Sequence, residues 1–351
     1  MTSAASFRKI LHEAGAVFDP HDGSPPLALD FGDWFAEHAA IVDGVALADY
    51  SDRTQIEVTG ADRQSFLHNL CTNDVRGLVP GAGREAFVTS VQGKVLGHIL
   101  IFCEPDQLVL ETTGGQAQRL LRHFERYIIR EEVIFADCSV DCAELLLAGP
   151  GAAGLLAGLA EVDPPTASLA HVEAEIAGCK VSLRRVGFVG PQGVLISTTR
   201  DNLAVIWRAI REAGAKPCGH SAVECARIEA GWPDYGRDIN SDNLPQEVSR
   251  NATAVSFTKG CYLGQETVAR IDALGHVNKS LVGICSSTNQ RVALGSTLSA
   301  QGKEVGRVTS ATFSPRLGKG LALAVVRRGH NAPGTLLESS AGPASVCPLP
   351  V

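Results

Sequence analysis

Polar and apolar positions alternate along Gln55-Ile56-Glu57-Val58-Thr59, the period of a strand with one buried face, until Gly60 interrupts it. Asp62 stands where a helix would begin, and Phe66, Leu67 and Leu70 fall on one side of it, so the segment predicts strand, turn and helix. Apolar runs at 86–91 and 95–103 flank Gln92-Gly93, which predicts a hairpin. Leu108-Val109-Leu110 adds a strand. After Gly114-Gly115, helical spacing returns with Leu120, Leu121, Phe124, Tyr127 and Ile128.

The pattern then repeats loosely. An apolar strand at 144–147 is broken by Gly149-Pro150-Gly151, and a short helix runs through Leu155 and Leu156. Short strands are expected over 172–197. Leu203, Ile206, Trp207 and Ile210 form a helical stripe ended by Gly214, and another helix is expected over 221–230. Beyond Gly275 the runs become short and β-rich, at 281–284, 304–308 and 321–326, which predicts a small all-β barrel or sandwich. Strands and helices mixed without strict alternation predict an α+β architecture.

Composition narrows the function classes. A chain of 351 residues that is 45% hydrophobic and 20% charged folds without staples, and with only 5% aromatic residues its cores must be built from Leu, Val, Ile and Ala. A net charge of -7 argues against bulk nucleic-acid binding or a grip on anionic membrane, although a local basic pocket stays open. Neither a signal-peptide pattern nor a run of about 18 apolar residues is seen, so a cytoplasmic location with no membrane partner is expected. The 10 cysteines form no CxxC pair, which predicts reduced thiols and no resident metal.

The densest chemistry lies in Lys259-Gly260-Cys261-Tyr262-Leu263-Gly264-Gln265-Glu266. Its glycines admit close backbone approach, and Cys261 precedes an expected helix over 266–271. Lys259 and the positive end of that helix would favour a thiolate, so Cys261 and Lys259 are the candidate catalytic residues. A buried loop cysteine with glycines for tight packing accounts for the same residues equally well. Upstream, Arg227 precedes Trp232 and Tyr235, a grouping that clamps a carboxylate and stacks a flat ring; an Arg in a structural ion pair beside core aromatics has the same pattern. Gln246 and Glu247 could supply partners for a heterocycle.

Arg227, Gly231, Pro233, Gly236, Asp238, Pro245-Gln246-Glu247, the run from Lys259 to Glu266, and Ala269-Arg270 together resemble the signature of the YgfZ folate-binding proteins. These are relatives of the glycine-cleavage T-protein, the aminomethyltransferase. Asp49-Tyr50-Ser51, Val58-Thr59-Gly60-Ala61-Asp62, Phe66-Leu67 and Thr72-Asn73-Asp74 are similar to the opening shared by both groups. The resemblance implies a three-domain ring around a tetrahydrofolate site. Its first domain would be discontinuous (1–47 plus 142–272, carrying the Cys motif), followed by an α+β domain (48–141) and a C-terminal β-barrel (273–351). It further implies that Arg227 faces the folate glutamate tail, that Trp232, Tyr235, Gln246 and Glu247 line the cleft, and that Gly260, Tyr262, Gly264, Gln265, Glu266 and Arg270 build the motif.

The same resemblance implies a protein that uses folate and Cys261, as a transient thiolate ligand, sulfur acceptor or redox partner, to help assemble or repair [4Fe–4S] client proteins; a monomer is expected. The alternative is a one-carbon transferase of the T-protein type, and a folate-sensing scaffold without chemistry is a third reading. T-proteins carry paired Asp residues where this chain has Gly97 and His98, and a Glu in a Tyr-Thr-Gly-Glu run where it has Phe188-Val189-Gly190-Pro191. A carboxylate that ionises near an amine can organise aminomethyl transfer, and neither Gly nor a neutral His replaces its negative charge, so whether the chain is an enzyme stays open.

Overall fold

The alternating segment at 55–59 folds as the strand Thr54–Thr59, paired on one side with Leu108–Thr112 and on the other with Ile134–Asp137. The computed structural model describes residues 3–18 and 27–351. Gly83–Thr89 and Val95–Cys103 form the expected hairpin and complete a five-stranded antiparallel sheet. One face, with Ile56, Val58, Ile99, Ile101 and Leu110, packs on the helices Arg63–Leu70 and Ala117–Glu125. The second helix is shorter than its apolar spacing suggests, because the chain turns at Tyr127, whose N–H donates to the Phe124 carbonyl. Asp62 does head its helix, but its carboxylate accepts from the Glu132 N–H at 2.9 Å instead of capping the first turn.

A second sheet has six strands in the order His171–Ile176, Cys179–Val186, Gly193–Thr199, Cys142–Ala148, Ala46–Asp49 and Lys216–Pro217; only the last pairing is parallel. Its outer face, with Leu47, Leu145, Leu147, Leu183 and Ile196, is covered by the helices Ser3–Glu13, Ala152–Ala160 and Leu203–Glu212. The inner face, with Ala46, Ala48, Leu146 and Leu195, packs on Leu100, Phe102 and Val109 of the first sheet. Sheet lies on sheet, with helices outside both.

The β-rich C-terminal part closes into a six-stranded barrel. It uses the runs expected at 281–284, 304–308 and 321–326, with Thr297–Ala300, Leu336–Ser339 and Gly342–Cys347 added. The barrel packs on the helix His220–Glu229, whose end leads to the meeting point of the two sheets. Among the described residues no helix is long and apolar enough to cross a membrane.

Candidate functional site

The Cys261 loop lies against the end of the helix Arg63–Leu70. Lys259 holds it there: its ammonium donates to the carbonyls of His68, Cys71 and Asn73 at 2.5, 2.7 and 2.8 Å and lies 4.8 Å from the centre of the Tyr262 ring. Carbonyls left open where a helix ends carry partial negative charge, which a buried cation satisfies. Burial lowers the Lys259 pKa. The expectation that Lys259 activates Cys261 is thus corrected, since its donors are engaged elsewhere. Gly264 is required by close approach: a side chain there would begin 2.4 Å from the Ser90 carbonyl and 2.8 Å from Gly93. The helix Gln265–Leu274 starts only after Gly264, so Cys261 stands outside its first turn.

Cys261 itself is exposed, at a recess of about 480 Å³ lined by Phe66, Asn69, Leu70, Tyr127, Glu131, Tyr262 and Leu263. None of Arg227, Trp232 or Tyr235 borders that recess. Gln265 accepts from the Tyr262 N–H at 3.3 Å, Gly260 sits beside His68, and Glu266 and Arg270 are exposed on the helix. Replacing Cys261 by Ser should change stability by less than about 0.5 kcal/mol. Lys259→Met should cost about 3 kcal/mol, since it leaves buried carbonyls unpaired. Chemical denaturation of both variants checks the contrast.

Arg227 is also differently placed from its expectation. Its guanidinium donates to Glu224 at 2.7 Å, to Asp238 at 2.8 Å and to Ser310 of the barrel at 2.7 Å, and also to the Trp232 carbonyl. It is 3% exposed, so no donor remains for a folate tail. Tyr235 is held by Arg119, which lies over its ring at 4.2 Å and donates to its hydroxyl. Gln246 donates to the Val268 carbonyl at 2.7 Å, and Glu247 accepts from the Leu244 N–H at 3.1 Å; both are braces of the loop.

Trp232 lies in a different setting, the junction of both sheets. Its ring stacks on His98 at 5.3 Å, meets Phe188 edge-on at 5.0 Å and lies 4.2 Å from the Arg250 guanidinium. His98 Nε2 is 2.7 Å from Glu85 Oε1, and Arg250 binds the same carboxylate through Nε and, at 2.7 Å, through a terminal nitrogen. Burial opposes ionisation of Glu85, but the hydrogen bonds from Arg250 and His98 outweigh it and bring the pKa down to about 2. Strand register explains the meeting, because Phe87 pairs with His98 and Glu85 with Leu100, putting Glu85 and His98 on the face turned to Trp232. Gly97 points the other way: a side chain there would start 2.9 Å from Leu120. Beside this group Arg53 lies over both Tyr50 and Phe188 at 5.2 Å and pairs with Glu111 at 2.6 Å.

From Glu111 the charge continues into the space between the sheets. Glu144 is fully buried, and burial together with repulsion from Glu111 pushes its pKa up to about 8, against the pull of Arg184 and Arg53. Above the ordinary carboxylate range the unfolded chain has released a proton that the folded chain still holds, so stability falls as pH rises, until about pH 8. Glu144→Gln, which can keep the 3.2 Å contact with Arg184, should flatten that decline in melting curves.

Among the described residues, one set of side chains groups as metal ligands do: His38, Cys225 and Glu229 bring ligand atoms within 4.8 Å of one another. They are already joined, His38 to Glu229 at 2.9 Å and Ser314 to Glu229, and burial pushes the Cys225 thiol up, which keeps it neutral.

The family model "GCVT N-terminal domain" matches residues 7–259, and "Glycine cleavage T-protein C-terminal barrel domain" matches 279–351. The chain belongs to the glycine-cleavage T-protein family. An aminomethyltransferase of Saccharopolyspora erythraea is 29% identical, covering 97% of this chain and 95% of its own. One of Thermus thermophilus is 30% identical and covers 92% of each. The crystal structure of aminomethyltransferase T from Bartonella henselae superposes with a TM-score of 0.88 at 22% identity, over 98% of this chain and 96% of its own, so the fold is shared. These relatives overturn the iron–sulfur assembly role, and with it the iron–sulfur clients, that the Cys261 motif implied. Proteins matched over more than nine-tenths of both chains are aminomethyltransferases, as the alternative reading had it.

Proposed function

We propose that this family member is a tetrahydrofolate-dependent one-carbon transferase, moving an aminomethyl or methyl group to or from the folate, with Glu85 and His98 as its working pair. The observation that carries the reading is the buried Glu85 carboxylate 2.7 Å from His98, beside Trp232 and Arg250 at the junction. Transfer to an amine needs a charge that stabilises the developing cation and a group that moves its proton. T-proteins place Asp on the strand where this chain has Gly97 and His98; here the neighbouring strand supplies the negative charge. His98 carries the proton, and Glu85 orients its ring.

The residues fit such a substrate. Trp232 and Tyr50, both packed on Phe188, are flat rings at the junction suited to a heterocycle, and Arg53 and Arg250, although paired with Glu111 and Glu85, place two cations beside them. Tetrahydrofolate supplies the secondary amine that takes the one-carbon unit. Within the family, Lys259-Gly260-Cys261-Tyr262 still resembles the YgfZ-type branch, and we assign the chain to that folate-binding branch. Incubation with tetrahydrofolate and an aminomethylated lipoyl carrier should yield methylenetetrahydrofolate, ammonia and the free dihydrolipoyl carrier. No product, together with no tetrahydrofolate binding by calorimetry, would sink the reading.

A further inference from the structure

The space between the two sheets becomes polar toward one edge and opens there as a recess of about 270 Å³, bordered by Gln55, Glu57, Glu104, Glu173, Ser182 and Arg184. We propose that this recess binds a small zwitterionic amino acid, its carboxylate on Arg184 and Ser182 and its ammonium on Glu57 and Glu173. The recess shares no residue with the Glu85, His98 and Arg250 group, so the proposal stands independently of the transferase reading.

Two buried donors on its wall have no partner in the protein: the Ser182 hydroxyl and the Arg184 Nε–H, in residues 6% and 3% exposed. Leaving such groups unpaired costs about 1–3 kcal/mol each, which an acceptor on a ligand restores. Arg184 is held in place by the protein. One terminal nitrogen holds Gln55 at 3.3 Å and Glu144 at 3.2 Å, the other lies 3.7 Å from Glu104, and its plane rests on Phe102 at 4.8 Å. This leaves the Nε–H without an acceptor in the protein. Because Glu144 favours its protonated form, it compensates the Arg184 charge only in part.

The other side of the recess selects for a cation. Glu57 is half-buried and Glu173 exposed, and neither carboxylate is in an ion pair or hydrogen bond among the described residues. A simple anion would meet three carboxylates, Glu57, Glu104 and Glu173, while a simple cation would meet Arg184 and Lys180. A ligand with both charges one carbon apart answers both sides, and the volume suits a molecule well below drug size.

Titration calorimetry of the full chain with L-serine as probe tests this, with acetate and ethylamine as its two halves. L-serine should bind in the millimolar range or tighter, and each half at least about tenfold more weakly. Ser182→Ala and, for a change that leaves the buried wall untouched, Glu173→Gln should each weaken L-serine about tenfold. Acetate binding as tightly as L-serine would make this an anion site and overturn the proposal. So would L-serine binding unchanged in both variants, or no L-serine binding at all.

Discussion

Replacing His98 by Gln should lower the rate of one-carbon transfer by about 10²–10⁴-fold while leaving tetrahydrofolate affinity within a few fold. Gln keeps a donor for Glu85 and much of the stacking area against Trp232 but cannot take up and return a proton at neutral pH. Glu85→Gln should also lower the rate, because the neutral amide orients His98 without supplying the negative charge. Its readout separates positioning from packing. With Glu85 held at about 2, one-carbon transfer by the parent protein should show no limb in the ordinary carboxylate range, whereas a structural role predicts loss of binding and stability alone. Single-turnover rates and calorimetry on both variants decide it. Unchanged rates in both would remove the pair from the mechanism.

The largest expected effect on stability lies at Arg227. Arg227→Met leaves the fully buried Asp238 without its cation, while Glu224 keeps Arg237 at 3.0 Å, and breaking a buried pair of this kind costs about 3–5 kcal/mol. In a chain of this size that should lower Tm by roughly 4–7 °C. The folded fraction should still bind tetrahydrofolate with little change, because no donor of Arg227 is free for the ligand. A large rise in Kd with an unchanged Tm would restore the tail-binding role that the sequence suggested.

Such reversals have a common physical origin. Arg227, Lys259 and Tyr235 are residue types that bind ligands and also types that brace interiors, and the choice depends on what lies within a few ångströms. For Lys259 the decisive neighbours are carbonyls near residue 70, almost two hundred positions away in the chain. Glu85 shows the converse. In Gly83-Arg84-Glu85-Ala86-Phe87 it shares a strand face with a fully buried Phe87, an acid in an apolar setting and so a detectable signal. Its partners His98 and Arg250 come from another strand and from a segment 165 residues away.

Local patterns along the chain were enough to set the elements and to point to the family-level fold. Strand alternation, the Gln92-Gly93 turn, the helical stripe at 203–210 and the β-rich C-terminal runs are local patterns, set by which side of each element meets water. Which charged groups neutralise one another follows from the packing of distant segments. The Cys261 loop became a braced surface segment with an exposed thiol, and the junction at Trp232 gathered Glu85, His98 and Arg250. Hydrophobic periodicity is written in consecutive residues, whereas the electrostatics of a buried site arise from groups that folding brings together in a medium of low dielectric.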